Sequence, residues 1–236
     1  RDQGLGEAAY MAAYAPDFDT SEVIWAIADD GSEDFEVTST SGAGRWGELW
    51  DPADAGDLGS TEVSANVDLA FPDDYDGDAP VLYVALSDDD GAAQGNLYQI
   101  AVDEYDSGDE TEATALLDDE DGDDDGDAVS SVEVDGAVIL VGVYDDNIIY
   151  RSDNGGSTFD DAEKLPTGGI DTNIYMVPGD FDEDTGVAYV TTVGAASTSP
   201  DESAVSVSRD GGDSYNQISW VDTDLDGGIL DMAFSP

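Results

Sequence analysis

Four residues in fixed order, Ser-x-Asp/Asn-x-Gly-x-x-aromatic, stand at Ser152, Asn154, Gly156 and Phe159 and again at Ser208, Asp210, Gly212 and Tyr215. Each copy follows a short apolar run, so the chain carries one local device twice, 56 residues apart. A second unit recurs with it: an apolar strand that ends at a proline and passes into an Asp-aromatic-Asp turn, over 10–28, 67–86 and 174–192, with its beginning repeated at 230–236. The prolines are Pro16, Pro72, Pro178 and Pro236, separated by 56, 106 and 58 residues. The middle interval holds two repeats of 53, and a unit lacking the proline lies in the gap at 129–147. A period this long means that each repeat is one supersecondary module, which buries its faces against its neighbours.

Each module reads as a first strand, an Asp- and Gly-rich turn, a second strand with alternating apolar positions, a third strand, the Ser-Asp-Gly-aromatic turn and a short fourth strand. In the third module these strands are expected near 130–134, 137–143, 147–151 and 162–165. Helical periodicity is absent over any useful window. Four short antiparallel strands per module predict an all-β chain, a β-propeller of four-stranded blades that forms part of a larger ring. A β-sandwich also has many short strands, but neither its period nor its turns would be fixed. The expected blades are 8–60, 61–118, 128–170 and 171–228, with 229–236 as the first strand of a further blade. The opening RDQGLGEAAY has neither an initiator Met nor a signal peptide, as in a processed or partial polypeptide.

The turn spacing resembles the Asp-box, or BNR repeat, of sialidases, sortilin-like receptors and bacterial surface proteins. Ser208, Asp210, Gly212 and Tyr215 match it with Tyr for the usual Trp, and Ser152, Asn154, Gly156 and Phe159 match with Asn for Asp. A worn copy is visible at Ser39, Ser41, Ala43 and Trp46. In such a turn a short polar side chain closes onto backbone N–H groups, Gly supplies a positive φ, and the aromatic plugs the blade below. The prolines and the Asp-Phe-Asp and Asp-Tyr-Asp turns are similar to tandem-repeat proteins of bacterial cell surfaces, some of S-layer type. That resemblance implies a secreted or cell-surface structural role.

Composition narrows the function. With 58 acidic and 5 basic residues the formal net charge is −53. Such a field repels phosphates, which excludes nucleic acid as a partner, and it opposes anionic membranes. No apolar stretch approaches the ~20 residues of a membrane span. The absence of His and Cys removes Ser-His-Asp and Cys-His catalysis and imidazole or thiolate zinc sites. Sialidases hold their substrate's carboxylate with three arginines. The four here, Arg1, Arg45, Arg151 and Arg209, cannot assemble such a triad, two being in or beside the turns. The expectation is a protein that is not an enzyme, with a sialidase-like glycoside hydrolase drawing on a carboxylate pair as the lesser alternative.

Self-repulsion on this scale calls for screening or bound cations. Asp-x-Asp-x-Asp triplets that suit a hard cation such as Ca2+ occur at Asp74/Asp76/Asp78, Asp121/Asp123/Asp125, Asp180/Asp182/Asp184 and Asp222/Asp224/Asp226. In the last, Gly227 and Ile229 also match a calcium loop, although its twelfth position is Ala233 instead of Glu. The sequence reading is an extracellular, cation-stabilised structural protein that associates with itself or with other envelope proteins. Its alternative is a propeller module that binds a glycan or protein through Trp25, Trp46, Trp50 or Trp220.

Overall fold

The computed structural model describes residues 9–29, 35–41, 47–50, 63–88, 95–102, 111–117, 128–144, 146–177, 181–193 and 203–221. They form sixteen strands and one helical turn. Blade 1 holds β1 (Ala9–Tyr14), β2 (Val23–Asp29), β3 (Phe35–Ser41) and β4 (Gly47–Trp50), with α1 (Phe18–Ser21) between the first two. Blade 2 holds β5 (Val63–Ala70), β6 (Val81–Asp88), β7 (Gly95–Val102) and β8 (Thr111–Ala115). Blade 3 holds β9 (Val129–Asp135), β10 (Val138–Val143), β11 (Ile149–Ser152) and β12 (Asp160–Asp161). Blade 4 holds β13 (Ile170–Met176), β14 (Ala188–Val193), β15 (Ser203–Ser208) and β16 (Asn216–Val221). Each blade is an antiparallel meander in chain order.

The first strand of each blade touches the first strand of the next, β1 to β5, β5 to β9 and β9 to β13, so these four line the inner side. The described strands make an arc of blades, and no sheet closes on itself. The apolar core lies between blades in three layers. Trp25, Ile27, Leu82, Val84 and Ile100 fill the first, Tyr83, Ala85, Leu97, Ile139 and Val141 the second, and Leu140, Ile149, Ile174, Val190 and Tyr215 the third. Alternate residues of one strand enter different layers: Leu82 and Val84 point to blade 1, Tyr83 and Ala85 to blade 3.

This sandwiching corrects the expected amphipathic second strand. In β10 all six residues are buried, because blades cover both faces and the run must be apolar throughout. The fourth strand of blade 3 also differs from expectation. It is the exposed pair Asp160–Asp161 in place of 162–165. Residues 162–165 instead run beside the next blade, where Lys164 bridges to Ser214 and its ammonium donates to Asn216 Oδ1 at 2.6 Å.

Trp25 is fully buried and donates its indole N–H to the Tyr75 hydroxyl at 3.1 Å, so it is a core residue with no free face for a ligand. Trp220 is 47% exposed on the outer strand of blade 4. Trp46 and the side chain of Trp50 lie outside the described residues.

Candidate functional site: the inter-blade seams and an acidic recess

The two Ser-Gly turns occupy equivalent places, each directly after the third strand of its blade. Ser208 donates its hydroxyl to Asp210 Oδ1 at 2.6 Å and accepts the Gly212 N–H at 2.9 Å, while Asp210 Oδ1 also accepts the Ser214 N–H at 3.0 Å. Ser152, Asn154, Gly156 and Thr158 repeat this network at 2.9, 2.9 and 3.0 Å. An amide oxygen thus replaces a carboxylate without altering the turn. Gly156 and Gly212 have φ of +85° and +94°, and a Cβ on either would run into a leucine of the preceding blade, Leu116 or Leu140.

The aromatic of each turn enters the layer toward the preceding blade, Phe159 against blade 2 and Tyr215 against blade 3. Burial lifts the Asp210 carboxyl, but hydrogen bonds from the Ser208 hydroxyl and the Ser214 N–H outweigh it and hold the group below its usual range. Of the worn copy, Ser39 is buried in β3, whereas Ala43 and Trp46 lie outside the described residues.

Between the inner ends of blades 1 to 3 opens a recess of about 330 Å³, lined by Pro16, Asp68, Phe71, Val132 and Glu133 among others. Two carboxyl groups meet here that sequence reasoning did not single out. Burial, and then the negative charge of Asp68, push the Glu133 carboxyl up to about 8, against a weaker pull from the Met176 N–H that it accepts. A carboxyl whose ionisation is pushed up to about 8 has the chemistry of a general acid.

Backbone groups are among the partners of the pair. Asp68 accepts the Leu69 N–H at 2.8 Å and, across the seam, the Val132 N–H at 2.9 Å. Glu133 takes the Met176 N–H of blade 4, and Asp135 takes the Phe181 N–H at 3.2 Å. An innermost strand has no strand partner on its axial edge, so its N–H groups need acceptors, and the preceding blade supplies them.

Hydroxyls serve the seam between blades 3 and 4 in the same way. Ser131 accepts the Ile174 N–H at 3.0 Å, and Ser130 and Ser131 donate to the Thr172 carbonyl at 2.6 and 3.0 Å. The buried Thr172 hydroxyl accepts the Val143 N–H at 2.7 Å and lies 3.1 Å from the carbonyls of Val143 and Ile148. Outside, Arg151 crosses the seam to donate to the carbonyls of Gly211 at 2.9 Å and Glu183 at 3.0 Å.

The acidic triplets take up different duties. Asp76 Oδ1 caps the Asp78 N–H at 2.9 Å. Asp182 Oδ1 accepts from the Asp184 N–H, the Thr185 N–H and the Thr185 hydroxyl, each at 3.0 Å, and these bonds depress its carboxyl. Asp74 is exposed in the same loop as Asp76. Among the described residues no three acidic side chains converge as a metal-ligand set. Asp121, Asp123, Asp125, Asp180, Asp222, Asp224 and Asp226 lie outside the described residues. No helix among the described residues is long and apolar enough to cross a membrane.

No protein-family model matches the chain, and no curated protein does. Solved structures do match. The GH74 enzyme of Niastella koreensis is similar over 89% of this chain and 30% of its own length, at 15% identity and a TM-score of 0.57. YCF48 of Cyanidioschyzon merolae is similar over 89% of this chain and 55% of its own, at 12% identity and a TM-score of 0.44. A Trypanosoma rangeli sialidase is similar over 85% of this chain and 32% of its own, at 13% identity and a TM-score of 0.38. The chain therefore spans under two thirds of each of these proteins. At such identities the likeness concerns the fold, and that fold is an all-β propeller of four-stranded antiparallel blades.

Proposed function

We propose that this chain is a non-enzymatic structural component of an extracellular or cell-surface assembly, an Asp-box propeller of the S-layer-like kind, whose acidic surface is tempered by cations such as Ca2+. The observation that carries this reading is the use of the polar groups along the axis. Asp68, Glu133 and Asp135 all hold backbone N–H groups of the next blade, and on the outer side of the seam Arg151 holds its carbonyls. The two carboxyl groups that meet in the recess, from which a hydrolase would draw an acid and a base, are parts of the seams.

The face of β1 turned away from blade 2 supports assembly between copies. Tyr14 lies on it, 66% exposed, in the orientation by which one blade packs on another, and Tyr10, at the register shift of the same strand, is 37% exposed. The same two rings favour the second reading, a binding module that stacks a sugar ring or a protein segment on aromatic faces.

Thermal melts and particle size in EDTA, in millimolar CaCl2 and in molar NaCl test the proposal. Higher melting temperatures together with larger, reversible particles at high salt or with calcium support it. A constant monomer in all three, or turnover of an oligosaccharide that Glu133→Gln abolishes, would overturn it.

A further inference from the structure

The chain has six asparagines, and one of them, Asn154, is followed by glycine, whereas the others precede Val67, Leu97, Ile148, Ile174 and Gln217. An Asn-Gly pair is the reactive kind, because Gly155 has no side chain to shield its backbone nitrogen from the neighbouring side-chain amide. That nitrogen gives up its proton and bonds to Cγ of Asn154, the Cγ–Nδ2 bond breaks, and ammonia leaves with the proton. Water then opens the cyclic imide at one carbonyl or the other, leaving an aspartate linked to Gly155 through its α-carboxyl or through its side chain. One water is taken up and one ammonia released, with no oxidant or cofactor.

Asn154 is exposed, so water reaches it. Its amide is nevertheless held in place: Oδ1 accepts the Ser152 hydroxyl at 2.9 Å and the Thr158 N–H at 3.0 Å, and Nδ2 donates to the Thr158 hydroxyl at 2.7 Å. The attacking nitrogen is engaged as well, since the Gly155 N–H donates to the Ala137 carbonyl at 2.9 Å. To cyclise, the side chain must leave Ser152 and Thr158 and swing onto Gly155, whose φ of +70° belongs to the turn. Each of these movements breaks a bond that closes the turn, so the reaction needs the turn to open first.

We propose that Asn154 and Gly155 form a site of spontaneous deamidation that the folded turn keeps shut and that local opening of the turn releases. The two products have different fates. The α-linked aspartate is what blade 4 already carries at the same place, where Asp210 keeps the equivalent bonds to Ser208 and Ser214. The form linked through the side chain adds a methylene to the main chain ahead of Gly155 and displaces Gly156, which lies against Leu116 of blade 2. Phe159, closing the same turn, packs in that layer too, so this product loosens the seam between blades 2 and 3. The chemistry is independent of what the assembled protein does.

The test ages the parent and Thr158→Val, which loses the hydroxyl but keeps the N–H, at pH 8 and 37 °C, both folded and in guanidinium chloride. After digestion with pepsin, the peptide containing Asn154 is followed by the mass change of NH2 to OH. The parent is expected to convert at least about tenfold more slowly when folded than when denatured, and Thr158→Val to narrow that gap at least about threefold with its denatured rate unchanged. Equal rates in the two states overturn the proposal, as does no conversion in denaturant, or a folded Thr158→Val that ages no faster than the parent. Asn154→Asp stands in for the α-linked product and should melt within about 2 °C of the parent at pH 7. A larger fall overturns the claim that the turn accepts this product.

Discussion

Asp68 in blade 2 accepts the backbone N–H of Val132 in blade 3 at 2.9 Å, joining two sheets that share no ladder hydrogen bond. Its charge also faces Glu133, whose carboxyl is pushed up to about 8. Between the ordinary value of 4.5 and about 8 the native state keeps a proton that the unfolded chain has lost. Stability from this group is therefore full below pH 4.5, falls as pH rises through that window, and is lowest above 8. Glu133→Gln retains an acceptor for Met176 without the charge. It should match the parent at pH 5 and melt higher at pH 9, by roughly 5–10 °C. Melting curves of both proteins at the two pH values check this.

Asp210 and Asn154 hold the same bonds with different charge. Asp210→Asn should accordingly change stability little at pH 7, whereas Asp210→Ala should cost about 1–2 kcal/mol by leaving the Ser214 N–H unbound. The carboxyl is held below its usual range in the native state, so its stabilisation is present above the unfolded value of 3.8 and is lost as pH falls below it. Denaturant midpoints at pH 7 and pH 3 distinguish the three proteins, with Asp210→Asn less sensitive to acid than the parent.

Tyr215 is fully buried between blades 3 and 4, and its hydroxyl has no hydrogen-bond partner among the described residues. Burial raises its ionisation well above the ordinary range, so the group stays neutral. Tyr215→Phe removes a desolvated polar atom and keeps the ring. The expected effect is neutral to stabilising, up to about 1 kcal/mol, measured by chemical denaturation.

Thr172→Val keeps the shape at the seam of blades 3 and 4 but removes the hydroxyl that accepts the Val143 N–H. A loss of about 1–3 kcal/mol is expected. Thr20→Val, in the exposed turn after Pro16, serves as the control and should stay within about 0.5 kcal/mol.

The repeat was legible in sequence because its chemistry is local. Ser208, Asp210 and Gly212 close their turn with neighbours at most four positions away, and a proline follows the first strand in three of the four blades. The short strand Asp160–Asp161 was not legible, since two exposed aspartates carry no apolar pattern and pair only because β11 lies beside them. The seams were hidden for a different reason. Asp68 and Glu133 stand 65 positions apart among 58 acidic residues, and nothing in their flanking residues distinguishes them. Only blade stacking brings them to one recess. Arg151 reads as part of a turn, and its reach to Gly211 becomes visible only when the next blade is in place.

The central claim is that side chains of one blade cap the open backbone edge of the next blade's innermost strand. Amide hydrogen exchange at Val132, Ile174 and Met176 tests it most directly, because no described strand lies on that side to protect them. The account predicts exchange at these three as slow as at Leu140 in the middle of β10, with Val132 accelerated at least about tenfold by Asp68→Ala. Exchange at loop rates in the parent protein, or protection at Val132 that persists in Asp68→Ala, would contradict it.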